Sequence, residues 1–250
     1  MMRFERVCAG YGGVPCLHDI SASLREGELI GLIGPNGSGK STLLKVAAGQ
    51  LAPNGGGVYL GEACLCGLSV RQIARKIAYM PQSRAVPNIT VRQLAAHGRY
   101  PHLGLGRAMS KGDWAIVDAA METAGIARLA DRTVSDLSGG ERQRAYIAMA
   151  LSQHTEVLLL DEPAAHLDMA HQFALMEMLS RLKSSGKTVV VVLHELALAL
   201  TYCDRLLLLD RGRLVLCAAP KKALSSGMLE TTFGIRIHAA AEGGYTFAPR

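Results

Sequence analysis

The stretch GPNGSGKST, Gly34 to Thr42, decides the fold. It follows the apolar run LIGLI and precedes the helix-like run LLKVAAGQL, and this strand, loop and helix context is what a phosphate-binding G-x4-G-K-[ST] loop requires. Its glycines let backbone N–H groups wrap phosphate oxygens, and the start of the following helix adds a favourable dipole. Gly34, Asn36, Gly37, Ser38 and Gly39 form the cradle. Lys40 is expected to reach the β- and γ-phosphates of a nucleotide and the Ser41 hydroxyl to bind Mg²⁺, with Thr42 closing the motif.

Outward from the loop, short apolar runs alternate with helical patterns. ELIGLIG, VLLLDEP, TVVVVLHE and DRLLLLD read as strands buried on both faces, which predicts an α/β domain with a mainly parallel sheet. The first residues differ. RFERVCAGYGG and CLHDISASLREGE alternate more and carry turn signals, so an antiparallel β edge is expected there. Between Gln82 and Leu137 the strand signal vanishes, while TVRQLAAHGR and SKGDWAIVDAAMETAG show helix-start residues followed by apolar Trp114, Val117, Met121 and Ala124. The expected organisation is one domain, with 1–82 and 138–250 as α/β core plus β edge and 83–137 as an inserted helical subdomain. After DRGRLVLCAAP no added regulatory domain is expected.

Composition narrows the function classes. With 49% hydrophobic and 19% charged residues, the 250-residue chain is globular rather than disordered. Apolar runs such as TVVVVL fall far short of the ~18 residues of a membrane span. MMRFERVCAGYGG puts charge where a signal peptide needs an apolar core, so a cytosolic location is expected. The net charge of +6 arises from scattered basic residues, which favours a solvated surface over a nucleic-acid interface. Six cysteines match no zinc-ribbon spacing and are expected as reduced structural thiols.

Two further strand ends carry acid–base groups. VLLLDEP delivers Asp161 to the carboxyl end of a strand beside the phosphate loop, placed to hold magnesium through water. Glu162 next to it is a candidate general base for an attacking water. VVLHE brings His194 to the same sheet edge as a sensor of the γ-phosphate. HELAL is not a zinc-binding H-E-x-x-H, and His166 with His171 is only a weak pair, so no zinc site is expected. In LSGGERQR, Leu137 to Arg144, Ser138 and Glu141 form an S-x-x-E capping box that starts a helix. The box leaves Gly139 and Gly140 unexplained, since glycine costs helix propensity in a first turn.

In order, GPNGSGKST, YMPQ, LSGGERQR, VLLLDEP, HLD and VVLHE resemble the nucleotide-binding subunit of an ATP-binding cassette transporter, over nearly the whole chain from Tyr11 to about Gly212. The resemblance implies a P-loop NTPase with ATP and Mg²⁺ as cofactors. It implies that Tyr11 stacks on adenine, that Gln82 senses magnesium and begins the arm touching a membrane partner, and that Asp168 lies in a loop between two sites. It also implies that two chains pair head to tail, so that Ser138, Gly139 and Gly140 of one cap the γ-phosphate held by the other. Glu141, Ala164, Ala165 and Glu195 depart from the family's more common residues, and none removes a group that touches phosphate.

HGRYPHLG, His97 to Gly104, is similar to importers of iron-siderophore complexes, haem and cobalamin. The function implied is an ATPase at the cytoplasmic face of the membrane, energising a separate transmembrane permease and serving, indirectly, an extracytoplasmic substrate-binding protein. No nucleic-acid partner is expected. The alternatives are an importer ATPase for another cargo, or a soluble cassette ATPase acting on nucleic acid or ribosomes. Proteins of the latter kind usually carry coiled coils, tandem cassettes or basic arms, which this sequence lacks.

Overall fold

The computed structural model describes every residue except 105, 107, 166 and 240–243. The chain opens with an antiparallel pair, β1 (Met2–Tyr11) and β2 (Val14–Leu24), turned at Gly12 and Gly13 with positive φ. β3 (Leu29–Ile33) runs into the phosphate loop and α1 (Lys40–Ala47). β4 (Gly55–Leu60), β5 (Ala63–Cys64) and α2 (Val70–Ala74) lead to β6 (Ile77–Met80). The arm holds α3 (Val91–His97) and α4 (Lys111–Thr123), and α5 (Gly139–Ser152) returns the chain to β7 (Val157–Leu160). Strict alternation follows with α6 (Met169–Ser184), β8 (Thr188–Val192), α7 (Leu196–Tyr202) and β9 (Arg205–Asp210). The chain ends with β10 (Arg213–Ala218), α8 (Pro220–Ser225), α9 (Met228–Phe233), β11 (Ile235–Ala239) and β12 (Tyr245–Pro249).

Six strands form the central sheet in the order β10-β9-β3-β8-β7-β6. All its pairings are parallel except that of β10 with β9. A second, antiparallel sheet has the order β2-β1-β4-β5, as the N-terminal pattern predicts. β11 and β12 pair only with each other among the described residues.

The uninterrupted apolar strands follow from a core on each side of the parallel sheet. Successive residues of a strand face opposite ways. Leu158, Leu160, Val189, Val191, Leu206 and Leu208 therefore pack toward α5, α6 and the helical arm. Leu159, Val190, Val192, Leu207 and Leu209 pack toward α1 and the antiparallel sheet. Both faces being covered, neither set is free to be polar.

The arm's helices start where the sequence sets their caps. Thr90 with Gln93 and Ser110 with Asp113 close reciprocal capping boxes, satisfying first-turn N–H groups that would otherwise be orphaned. Val91, Leu94, Val117 and Met121 then face the same core as Ile147 of α5. Gly98, the C-cap of α3, has to be small because a Cβ there would sit 2.1 Å from the Met149 carbonyl oxygen. Pro101 offers its carbonyl to Arg71 at 2.9 Å and to Arg75 at 2.8 Å, fastening the HGRYPHLG segment to α2. Gly98 and Pro101 thus have structural reasons of their own.

The cysteines correct one expectation. Cys8, Cys16, Cys203 and Cys217 are free, but Cys64 and Cys66 are joined, their Cα atoms 5.3 Å apart. Leu65 between them is buried, which leaves both flanking side chains on the outer side of the same turn.

Candidate functional site

The phosphate loop needs its glycines for geometry. Gly34, Gly37 and Gly39 have φ of +147°, +76° and +100°, conformations that side chains rarely adopt. A Cβ on Gly34 would also sit 2.1 Å from the Leu209 carbonyl oxygen, and one on Gly39 2.8 Å from the Leu17 side chain. Gly39 caps α1 with no side-chain hydrogen bond, so the first-turn N–H groups face outward toward a ligand.

Lys40 is 6% exposed, and its ammonium donates to the carbonyls of Gly34 at 2.8 Å and Pro35 at 2.9 Å. Burial pulls its pKa below the ordinary lysine value, opposed by the charges of Glu162 and Asp161. Asp161, at the end of β7, is 1% exposed. It accepts from the Ser41 hydroxyl on Oδ1 at 3.1 Å and from the Tyr79 hydroxyl on Oδ2 at 3.3 Å. Burial raises its carboxyl pKa and the neighbouring Glu162 charge adds to that, while the bonds from Ser41 and Tyr79 oppose it. Burial, with the charge of Asp161, holds the Tyr79 hydroxyl protonated well above the usual tyrosine range.

Glu162 is one residue further on, with φ +51°. That left-handed backbone is rare for a side chain of this size and costs of order 1 kcal/mol or more. It leaves the carboxylate between two partners: Oε1 lies 2.7 Å from His194 Nε2, and Oε2 accepts from Gln82 Nε2 at 2.5 Å. Three residues from three segments thus meet over Lys40.

A cleft of about 540 Å³ joins most of the predicted residues: Asn36, Gly37, Gly39, Lys40, Ser41, Thr42, Gln82, Glu162 and His194 all line it. Gly34 and Ser38 lie buried beneath. Tyr11 is not on the cleft wall; it ends β1 half exposed, its ring 5.6 Å from the Lys45 ammonium. Ser138 and Gly140 lie outside it at the start of α5, whereas Gly139 lines an adjoining pocket with Gln82 and Glu162. Ser138 Oγ accepts from the Glu141 N–H at 3.3 Å, and the Glu141 carboxylate accepts from the Ser138 N–H at 3.0 Å. The bond from that Ser138 N–H, more than any other contact, holds the Glu141 carboxyl below the usual range. Asp168 caps α6, its Oδ1 accepting from the His171 N–H at 2.9 Å. His166 is outside the described residues.

Sequence reasoning passed over Tyr79 and Cys16. Tyr79 sits inside YMPQ, where attention falls on Gln82; its signal was the short strand β6, too brief to stand out. Cys16 lines the cleft from β2, and no spacing in the sequence marks it.

A strand, glycine loop and helix cradling a buried lysine, with an aspartate at the end of a neighbouring parallel strand, define a P-loop nucleotide hydrolase. Residues 17–165 match the family model described as ABC transporter, and the chain belongs to that family. It is 40% identical to the ferric enterobactin transport ATP-binding protein FepC of Escherichia coli (strain K12), over 94% of this chain and 88% of that one. With the hemin import ATP-binding protein HmuV of Pseudomonas putida it shares 39% identity, over 95% of this chain and 94% of the relative. Its fold superposes with a TM-score of 0.78, at 27% identity and over 88% of this chain and 99% of the other, on the dimeric ATP-binding cassette MJ0796 in a post-hydrolysis state with ADP and Pi. The chain is therefore an ATP-binding and ATP-hydrolysing subunit of a transporter. Among the described residues no helix is long and apolar enough to cross a membrane.

Proposed function

We propose that the chain energises import of an iron chelate, haem or cobalamin-type cargo through a separate permease, from the cytoplasmic face of the membrane. The names of the relatives at 40% and 39% identity support the cargo class. A dimeric relative of the same fold supports pairing with a second copy. In this reading a substrate-binding protein outside the membrane delivers the cargo, and the arm beginning at Gln82 touches the permease.

The observation that carries the catalytic reading is the Glu162 carboxylate held between Gln82 and His194 over the lysine of the phosphate loop. The loop glycines and Lys40 bind the phosphates of ATP. Glu162 orients the attacking water and takes its proton, and His194, which holds the carboxylate here, turns to the γ-phosphate when ATP is bound. The donor set also fits magnesium. Ser41 and Asp161 offer hard oxygens 3.1 Å apart, and a carboxylate that burial pushes toward neutrality is one a cation would stabilise. Bound there, Mg²⁺ would neutralise phosphate charge.

Reconstitution of the chain with its permease in vesicles tests the reading. ATP-driven uptake of a ferric siderophore, haem or cobalamin is the expected result, lost in Glu162→Gln. Uptake of none of the three, with ATP turnover intact, would overturn the cargo class.

A further inference from the structure

We infer that Tyr79 is a positioning residue for the carboxylate of Asp161: its hydroxyl, reaching across from β6, fixes the orientation that Asp161 needs to hold magnesium. The inference rests on the reading of Asp161 as a holder of Mg²⁺.

The sheet register creates the contact. β6 and β7 are parallel neighbours in which Tyr79 pairs with Leu159 and Met80 with Leu160. Asp161 follows two residues after Leu159, so its side chain leaves the sheet on the face that carries Leu159 and Tyr79. The Asp161 N–H donates to the Met80 carbonyl at 2.9 Å, which extends the ladder by one residue and ties the aspartate's backbone to β6. The tyrosine ring packs against the core on the α1 side of the sheet, and only its oxygen reaches Asp161 Oδ2, at 3.3 Å.

A carboxylate turns easily about its last torsion, where rotamer wells are broad. In Asp161 both oxygens are engaged by hydroxyls, Oδ1 by Ser41 and Oδ2 by Tyr79. Those two bonds are not equivalent. Ser41 belongs to the phosphate loop and offers its own oxygen to the cation, so its bond to Asp161 changes with the ligand. Tyr79 stands on a strand of the sheet and, among the described residues, makes no hydrogen bond to the phosphate loop through its hydroxyl. It is the fixed reference of the pair. Its bond also leaves Oδ1 as the oxygen facing the loop.

The test is Tyr79→Phe, which keeps the ring and removes one oxygen. The Mg²⁺ concentration for half-maximal ATPase activity should rise about tenfold, as loss of an outer partner of a metal ligand commonly does. Binding of Mn²⁺ to the ADP-loaded protein, followed by electron paramagnetic resonance, should weaken by the same factor. ADP affinity in EDTA and the Tm should stay at wild-type values, readouts that a merely structural hydroxyl would move together with the others. Unchanged metal dependence, or a fall in metal-free ADP affinity and Tm parallel to the metal effect, would overturn the inference. Asp161→Asn separates the two levels. If it leaves Mn²⁺ binding at the wild-type level, the reading of Asp161 fails and the inference with it. If it weakens Mn²⁺ binding and Tyr79→Phe does not, only the inference fails. In an Asp161→Asn background, Tyr79→Phe should add nothing.

Discussion

Two helices of this chain begin with glycine next to a charged residue, and they begin in opposite ways. At α1 the glycines are demanded by the chain itself: Gly34, Gly37 and Gly39 have positive φ, two of them have no room for a Cβ, and no side chain caps the helix. At α5 a capping box completes the helix start, and a Cβ at Gly139 would meet open space while one at Gly140 would make an ordinary 3.5 Å contact with Leu167. Neither has a positive φ. The first helix start is built to receive something within its own chain. The second is satisfied as it stands, and among the described residues neither a clash nor backbone strain requires its glycines. In the head-to-tail dimer that the family resemblance implies, they would answer to the partner's nucleotide, which would require bare backbone at the surface.

The largest expected effect breaks the α1 side of the comparison. Lys40→Ala should abolish productive ATP binding, since the one lysine or arginine that lines the cleft among the described residues is lost. The fold should survive, because the two bonds removed are to loop carbonyls and not to the core. Titration with a fluorescent nucleotide and thermal unfolding check both halves; wild-type affinity in a folded variant would refute the site. Next comes Glu162→Gln, which preserves the hydrogen-bonding shape between Gln82 and His194 but removes the base. Steady-state hydrolysis should fall by about 10²- to 10⁴-fold with ATP binding intact. Turnover at the wild-type rate would dismiss Glu162 from the chemistry.

Gly139→Asp moves to the other helix. In the monomer the side chain enters open space at a helix N-terminus, where an acid is favourable, so folding and initial ATP binding should persist. Between two chains it would place a carboxylate against a phosphate. Sedimentation of Glu162→Gln in ATP should show a dimer, and the same protein carrying Gly139→Asp should remain monomeric. An equally stable dimer in both would leave the capping box as the whole explanation of LSGGE.

The same contrast accounts for what could be read in advance. The phosphate loop was legible because its residues are consecutive and its backbone demands are local, and β3, β7, β8 and β9 were legible because burial on both faces makes their central positions continuously apolar. That Glu162 and His194 reach one sheet edge was legible from their strand ends, whereas the place of Gln82 beside them was legible only through resemblance, since nothing local in its segment sets those distances. β6 and the hairpin β11–β12 were missed, being short and mixed in pattern. The bond between Cys64 and Cys66 was missed because it depends on which way Leu65 points.

The smallest expected effect is the sharpest, because its two readouts should move in opposite directions. Gly139 is the first residue of α5, with no positive φ and no neighbour for a Cβ. Alanine there removes backbone freedom from the unfolded chain and should stabilise the monomer by about 0.5 kcal/mol. For a chain of this size that is a Tm rise of roughly 1–2 °C. Ser138→Ala, one residue earlier, should do the reverse and cost about 1 kcal/mol, since it deletes the cap that the Glu141 N–H uses. If the glycines exist for the monomer, Gly139→Ala should leave ATP-driven dimerisation of Glu162→Gln as strong as before, or strengthen it along with the fold. If they exist for the partner's phosphate, the same methyl group should weaken that dimer while raising the Tm. A variant more stable as a monomer and less able to pair is an outcome that no requirement inside one chain can produce.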